Sequence, residues 1–320
     1  MALHLRTRWM NRLGMWVSFK IVIIKGVVRF FSLPSLSVLH KAGAVLGWLS
    51  WRFDTHLAKV TRKNLSLCFP EQNIQNREDL VKASLKETAK MLFETGKIWT
   101  SPKHYVIDKV VNVRGEDYLQ EAVAKNQGLI VLAPHIGAWE VFGYYLGTRI
   151  DCTILYQPPK IRELEELVVA ARTRSNNHLV ATDRKGIVKL LKTLSNNGSV
   201  GILPDQEPTI SAGIFAPFFG VSALTGKLAS KLATKAGARA ICGMAIRLPQ
   251  GKGYEIVFSP VDELFYSSDE IESATGLNRS IETCVDIAKP QYQWEYKRFR
   301  NGPNGKTRYY QFNWHSKKAP

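Results

Sequence analysis

Between residues 106 and 260 short apolar runs alternate with amphipathic stretches. The runs at 110–113, 129–132, 153–156, 178–181, 200–203, 239–246 and 254–258 have the length and composition of buried strands. Helical patterns lie between them at 117–125, 139–146, 161–174, 186–194 and 225–235. Strand, helix, strand in regular order predicts an α/β fold, with a mixed, largely parallel sheet flanked by helices. In such sheets ligands sit beyond the carboxyl ends of the strands. Upstream, Asn76 reads as an N-cap, with Asp79 at the third helical position, of an amphipathic helix reaching about Trp99. A last helix is predicted over 268–289. There is no internal repeat and no low-complexity tract.

The start of the chain has a different pattern. Arg6, Arg8 and Arg12 precede a strongly apolar stretch at 15–33, which is interrupted by Lys20, Lys25 and Arg29. A membrane span wants about 20 residues with few or no charges, so three cations disfavour a simple one. Lys25 and Arg29 share a helix face, which suits a helix lying at a membrane interface. A second apolar stretch at 36–51 carries Trp48 and Trp51 as interfacial anchors. Residues 1–53 are therefore read as a membrane-attachment region, either one tilted span or an interfacial hairpin. A signal peptide is disfavoured by cations inside the apolar core and by the lack of a small-residue cleavage site. A buried pair of core helices is the alternative. Residues 54–310 form the main domain, and 311–320 a polar tail.

Composition narrows the class. The 320 residues are 45% hydrophobic and 22% charged, which excludes a disordered chain. The net charge is +17, which calls for an acidic partner: nucleic acid, anionic lipid headgroups or an acidic protein. Cys68, Cys152, Cys242 and Cys284 have no regular spacing, so neither a disulfide framework nor a metal site is expected. No metalloprotease, P-loop or dinucleotide-binding motif is present, and no cofactor is expected.

The candidate chemistry centres on residues 128–143, GLIVLAPHIGAWEVFG. A buried strand, a tight turn and a helix start put His135 at the strand end and Glu140 in the first helical turn. Pro134 favours the break by restricting the residue before it. Imidazole suits proton removal near neutral pH, and a carboxylate on its other nitrogen would fix the tautomer. Glu140 is the expected carboxylate. No Ser or Cys nucleophile stands beside the pair and no G-x-S-x-G occurs, so the proton would come from a substrate hydroxyl attacking an acyl donor directly. An H-x4-E spacing is common by itself, and its context gives it meaning. Arg172 and Arg174 close a helix, where they either enter a cleft as anion ligands or cap the helix. Asp205 and Gln206 follow an apolar strand in LPDQ; Asp205 would hold a hydroxyl, orient an arginine or serve as a plain turn residue. Residues 214–220, IFAPFFG, either wall an acyl-chain channel or pack on the core. Residues 291–300 alternate aromatic and basic side chains, a pattern that can dock a phosphate-rich surface.

Taken together these residues resemble the late acyltransferases of lipid A biosynthesis, the lauroyl/myristoyl transferase family of Gram-negative bacteria. The resemblance rests on the hydrophobic, basic N-terminus; Asn64 to Glu71 (NLSLCFPE); His135 and Glu140; Arg172 to Asn176 (RTRSN); Asp183-Arg184-Lys185; Leu203-Pro204-Asp205-Gln206; and Gln291 to Arg300 (QYQWEYKRFR). It implies an inner-membrane enzyme whose active site faces the cytoplasm, moving an acyl chain from acyl-acyl carrier protein to a hydroxyl on an acyl chain of a lipid A precursor. It gives His135 and Glu140 the roles of general base and partner. A family arginine that binds substrate or steadies the oxyanion falls on Arg172, with Arg174 second. Tyr296 departs from the family's usual His at that position.

The implied partners are acyl carrier protein, the lipid A precursor and inner-membrane lipids; nucleic acid is not expected, and the chain is read as a monomer. A lysophospholipid or glycerolipid acyltransferase is the lesser reading, because the F-P-E-G-T phosphate block of that group has no match in order. A non-catalytic basic protein of the membrane surface is the alternative from another class.

Overall fold

The computed structural model describes residues 26, 28–159 and 162–312. Among the described residues a helical stretch at 28–32 is followed by three longer helices. In α1 (Leu36–Arg52) Ser35 is the N-cap, its Oγ accepting from the Val38 amide. Thr55 caps α2 (His56–Cys68) in the same way. α3 (Ile74–Thr100) starts earlier than predicted, because Asn73 rather than Asn76 is the N-cap and accepts from the Asn76 amide at 2.8 Å. α1 lies close against α3 because Gly43 and Gly47, one turn apart, leave room for its backbone. A Cβ at Gly47 would stand 2.4 Å from the Leu85 carbonyl oxygen, and one at Gly43 2.6 Å from the Lys90 Cα.

The α/β layer follows as α4 (Lys103–Asp108), β1 (Val110–Arg114), α5 (Glu116–Ala124), β2 (Leu129–Leu132), α6 (Trp139–Arg149), β3 (Cys152–Tyr156), α7 (Arg162–Arg172), β4 (Asn177–Ala181), α8 (Arg184–Ser195), β5 (Ser199–Ile202), β6 (Gly213–Phe218), β7 (Val221–Gly226), α9 (Leu228–Ala236), β8 (Arg239–Arg247), β9 (Tyr254–Pro260) and α10 (Glu270–Ile287). Seven strands form one sheet in the order β1-β9-β8-β2-β5-β3-β4. Only β8 and β9 pair antiparallel; every other neighbouring pair in the sheet is parallel. The predicted α/β class with a mixed, largely parallel sheet is the observed one. All four residues of β2 are buried. Ile130 and Leu132 enter the core on one face with Leu190, Leu194 and Ile281, while Leu129 and Val131 enter the other with Val141, Phe142 and Tyr145. Burial on both faces explains why this strand reads as a continuous apolar run.

The helix predicted over 225–235 begins only at Leu228, because Thr225 belongs to the hairpin β6–β7. That hairpin contains Pro217, and proline argues against a strand in a sheet centre but not in a two-stranded ribbon. Phe219 and Gly220, both at positive φ, make its turn. Phe218 and Phe219 stack with Trp294, Tyr292 and Phe69, so these two phenylalanines of the stretch pack on the core.

Among the described residues no helix is long and apolar enough to cross a membrane. Most of the predicted apolar helix at 15–33 lies outside the described residues, as does the tail beyond Phe312. α1 is two-sided. Leu36, Leu39, His40, Gly43 and Gly47 are buried, whereas Val38, Val45, Leu46, Trp48 and the following Phe53 are exposed, with Lys41 and Arg52 among them. We expect Gly47→Leu to separate α1 from α3 and to lower stability by about 1–3 kcal/mol, read as an earlier urea midpoint in detergent. The exposed Val45→Thr should leave that midpoint within about 0.5 kcal/mol of wild type.

Candidate active site

Two parallel neighbours build the site. Leu132 pairs with Ile202 at the carboxyl ends of β2 and β5, and the Ala133 amide extends the ladder to the Ile202 carbonyl at 2.9 Å. Each strand then continues through an X-Pro step, Ala133-Pro134-His135 on one and Leu203-Pro204-Asp205 on the other. Proline favours extended backbone in the residue before it. His135 and Asp205 are therefore both three residues beyond a paired position, and they meet. His135 Nδ1 lies 2.7 Å from Asp205 Oδ1, and the His135 amide donates to Asp205 Oδ2 at 3.0 Å.

This corrects the expectation that Glu140 holds the imidazole. Glu140 lies in the first turn of α6, as predicted, but it faces away from His135 and engages Arg172 at the end of α7. Arg172 Nη2 donates to Glu140 Oε1 at 2.5 Å, and Nε lies 3.2 and 3.1 Å from the two carboxylate oxygens. The five-residue spacing separates the two side chains because α6 starts only at Trp139, and Gly137 at positive φ turns the chain between them. Asp205, expected to hold a hydroxyl or orient an arginine, occupies the imidazole instead.

The electrostatics follow the pairs. Burial pushes the Asp205 carboxyl up, but a charged His135 and the hydrogen bonds from its ring and amide outweigh that and hold Asp205 below the usual carboxylate range. An acceptor-only carboxylate on Nδ1 puts the Nδ1 proton there, leaving Nε2 as the basic nitrogen. Nε2 lies on the more open side of the ring, 3.4 Å from Gln206 Nε2. Gln206 donates in turn to Gln293 Oε1 at 3.0 Å. Trp139 sets its ring edge-to-face against the imidazole, with centroids 5.2 Å apart. Burial opposes charge on Arg172, yet Glu140 overrides it and the guanidinium pKa is raised.

Arg174 is placed elsewhere. It donates to the carbonyls of Ser101, Ile98 and Trp99 at the end of α3 and to the Tyr144 hydroxyl. It caps a helix rather than opening to the site, which corrects its expected substrate-binding role. In the segment 291–300 Tyr292, Trp294, Arg298 and Phe299 are buried, and Arg298 donates to the Leu224 carbonyl and the Thr225 hydroxyl. Tyr296, the departure from the family pattern, accepts from the Glu207 amide through its hydroxyl at 2.9 Å.

Between β2, β3 and α6 runs a narrow apolar slot, lined by Val131, Trp139, Phe142, Gly143, Leu146 and Ile154 among others. Among the described residues Glu140 and Arg172 are its only charged lining residues. The space inside it is small, and most of its lining is apolar. Among the described residues no group of three or more His, Cys, Asp or Glu side chains is placed to hold a metal.

Three positions carry geometry that the sequence reading missed. Buried Asn64 of α2 donates to the carbonyls of Trp294 and Tyr296 at 2.6 and 2.7 Å, and the Gln293 amide donates to the His135 carbonyl at 3.0 Å. α2 thus steadies the segment that backs the imidazole. A buried Asn in a helix was the available signal. Glu295 is the third. Burial pushes its carboxyl up to about 7, against its own backbone amide, the Thr88 hydroxyl at 2.9 Å and the charge of His135. The folded state then holds this proton over a pH range in which the unfolded chain has lost it. Stability contributed at this position falls as pH rises from about 4.5 to about 7. Glu295→Gln should melt above wild type at about pH 8, with the gap closing near pH 4.5. Parallel melting curves for the two proteins across that range would exclude Glu295 as the titrating group.

Comparison with known proteins meets this geometry. A family model described as bacterial lipid A biosynthesis acyltransferase matches residues 6–301. The chain is 28% identical to the lipid A biosynthesis lauroyltransferase of Escherichia coli strain K12, over 93% of each chain. It is 30% identical to the palmitoleoyltransferase of the same strain, over 85% of this chain and 88% of the relative. The myristoyltransferase of that strain is 24% identical over 81% of each. His135, Glu140, Arg172 and Asp205 thus stand in a chain that belongs to the bacterial lipid A biosynthesis acyltransferase family.

Proposed function

We propose that this chain transfers a fatty acyl group from acyl-acyl carrier protein to a hydroxyl on an acyl chain of a lipid A precursor. The observation that carries the reading is a pair of ion pairs on either side of the Gly137 turn, one lining the apolar slot and the other joined to it through Trp139, which lines the slot and packs on the His135 ring. His135–Asp205 supplies a base, and Arg172–Glu140 supplies a fixed cation where the slot becomes polar. His135 Nε2 takes the proton of the acceptor hydroxyl. The oxygen attacks the thioester carbonyl carbon, and the carbonyl electrons move onto its oxygen. Arg172, oriented by Glu140, donates to that oxyanion. The intermediate collapses as the C–S bond breaks. The ester forms, and the thiolate leaves without prior protonation. The proton on His135 then passes to the thiolate or to water.

The backbone amides of His135, Ile136, Gly137 and Ala138 already donate to Asp205, Pro134, Gln291 and Ala245. Oxyanion donors from the backbone are therefore the first amides of α6 rather than those of the turn. Asp205 takes the partner role first read for Glu140, and Glu140 acts through Arg172. The apolar lining of the slot suits the acyl chain of the donor.

The reading extends to location. The exposed apolar side of α1, with Lys41 and Arg52, suits an interfacial helix on an anionic bilayer. That supports attachment through residues 1–53 to the cytoplasmic side of the inner membrane. A net charge of +17 suits both an acidic carrier protein and a phosphate-bearing lipid.

Acyl transfer in detergent, from acyl-acyl carrier proteins to a lipid A precursor and separately to a lysophospholipid, tests this. His135→Ala should lose several powers of ten in rate. Asp205→Asn should lose about 10²–10⁴-fold, as expected when a buried carboxylate no longer fixes a catalytic imidazole. Arg172→Ala should lose about 10²–10³-fold. Folded wild-type protein that acylates no precursor, or His135→Ala at full rate, overturns the reading; transfer to lysophospholipid alone moves it to a glycerolipid acceptor.

The slot gives a further prediction. A Cβ at Gly143 of α6 would meet no atom within 4 Å, although the residue lines the slot. Gly143→Leu should fold and move the donor preference toward shorter chains. Two excluded methylenes at about 0.8 kcal/mol each amount to about 15-fold in kcat/KM for the longer donor. An unchanged chain-length profile would remove the slot as the acyl site.

A further inference from the structure

A buried charged cluster lies under the turn that carries His135, and the mechanism above does not use it. Arg247, the last residue of β8, has a side chain 2% exposed. Its Nε lies 3.0 Å from Glu94 Oε2, its Nη2 2.5 Å from Glu94 Oε1, and its Nη1 2.9 Å from Glu87 Oε2. Glu94 of α3 also receives His40 Nε2 of α1 at 2.7 Å and the Tyr254 hydroxyl of β9 at 3.0 Å. Glu94 alone balances the guanidinium in charge, and Glu87 is shared with Lys90. Arg247 Nη2 reaches one further acceptor, the Gly137 carbonyl at 3.3 Å.

Gly137 is the hinge of the site, two residues after His135 and three before Glu140. It stands at φ +58°, and a Cβ there would lie 2.2 Å from the Ala245 carbonyl oxygen, so the turn sits flush on β8. Its amide donates to the Gln291 carbonyl at 2.9 Å. Gln291 clasps Arg247 in return: its Oε1 accepts from the Arg247 amide and its Nε2 donates to the Arg247 carbonyl, both at 2.9 Å. Both polar atoms of the Gly137 backbone are thus held from one place.

We propose that Arg247 is a positioning residue for acyl transfer: by donating to the Gly137 carbonyl while pinned by Glu94 and Glu87, it sets the turn that separates the His135 base from the Glu140–Arg172 pair. The inference rests on the mechanism above for its kinetic consequence, and on the turn alone for its structural one. His40 and Tyr254 act through Glu94 by fixing the carboxylate that Arg247 faces. The cluster also ties α1, whose outer side is apolar, to the catalytic turn.

Two variants and two readouts test it. Arg247→Lys keeps a cation beside Glu94, but one ammonium cannot span Glu94, Glu87 and Gly137 together. Arg247→Met with Glu94→Gln removes the buried ion pair without leaving a lone charge, and the amide still accepts from His40 and Tyr254. The double variant should therefore regain most of the melting temperature that Arg247→Met alone loses. In Arg247→Lys and in the double variant, kcat should fall about 10- to 100-fold, the loss expected for a displacement of about 1 Å, with the KM for the acyl donor unchanged. Hydrogen exchange of a peptide covering residues 135–142 should be faster in both. Wild-type kcat in either folded variant overturns the proposal, and so does unchanged exchange. If wild type itself transfers nothing, the mechanism fails and the exchange measurement alone decides for Arg247.

Discussion

The hydrogen bond between His135 and Asp205 depends on the register of β2 against β5, and most of the site depends on that bond. A shift of one residue between the strands would place His135 opposite Pro204 or Gln206 and leave the buried Asp205 carboxylate without its two donors from His135. The pairs Leu129–Ser199 through Leu132–Ile202, apolar but for Ser199, hold the register from within the sheet. They are buried on both faces, so a slip would disturb the packing of helices on both sides. A proline after each strand makes the two exits alike. A polar interaction at the sheet edge is thus secured by hydrophobic packing well below it.

The second ion pair answers a different need. Glu140 and Arg172 come from two helices, α6 and α7, that meet over the same slot. An arginine so placed would swing among many rotamers without a fixed partner, and its donors would not be aimed. Glu140 restrains it through two guanidinium nitrogens and keeps it charged in a partly buried place. The proposed site is a set of four side chains from two strand ends and two helix ends, each held by a hydrogen-bonded partner within the set. Such a site is organised before substrate arrives, which is what electrostatic stabilisation of an oxyanion requires.

The N-terminal helices join this arrangement through polar contacts inside an apolar frame. α1 rests on α3 through two glycines, and His40 reaches Glu94 across that contact. α2 reaches the C-terminal segment through Asn64. Charged and amide groups buried this deeply stand only where every partner is in place, so they specify one arrangement of the helices over the sheet.

Much of this was legible in the chain itself. Alternating apolar runs located all seven strands of the sheet within two residues at either end, because a strand buried on both faces writes its position as a continuous apolar segment. The Pro and Gly around His135 marked a strand end and a helix start. The choice of partners was not legible. His135 is five residues from Glu140 and seventy from Asp205, and spacing along the chain favours the near one. The parallel pairing of β2 with β5 brings the distant one in, and parallel neighbours are joined by long crossovers that local pattern cannot pair. Arg172 and Arg174 are alike in sequence, yet one turns to the slot and the other to the end of α3, because α7 ends between the acceptors each can reach. Pattern and composition determine which segments become strands and helices. Which charges meet was decided only when the sheet order brought their ends together.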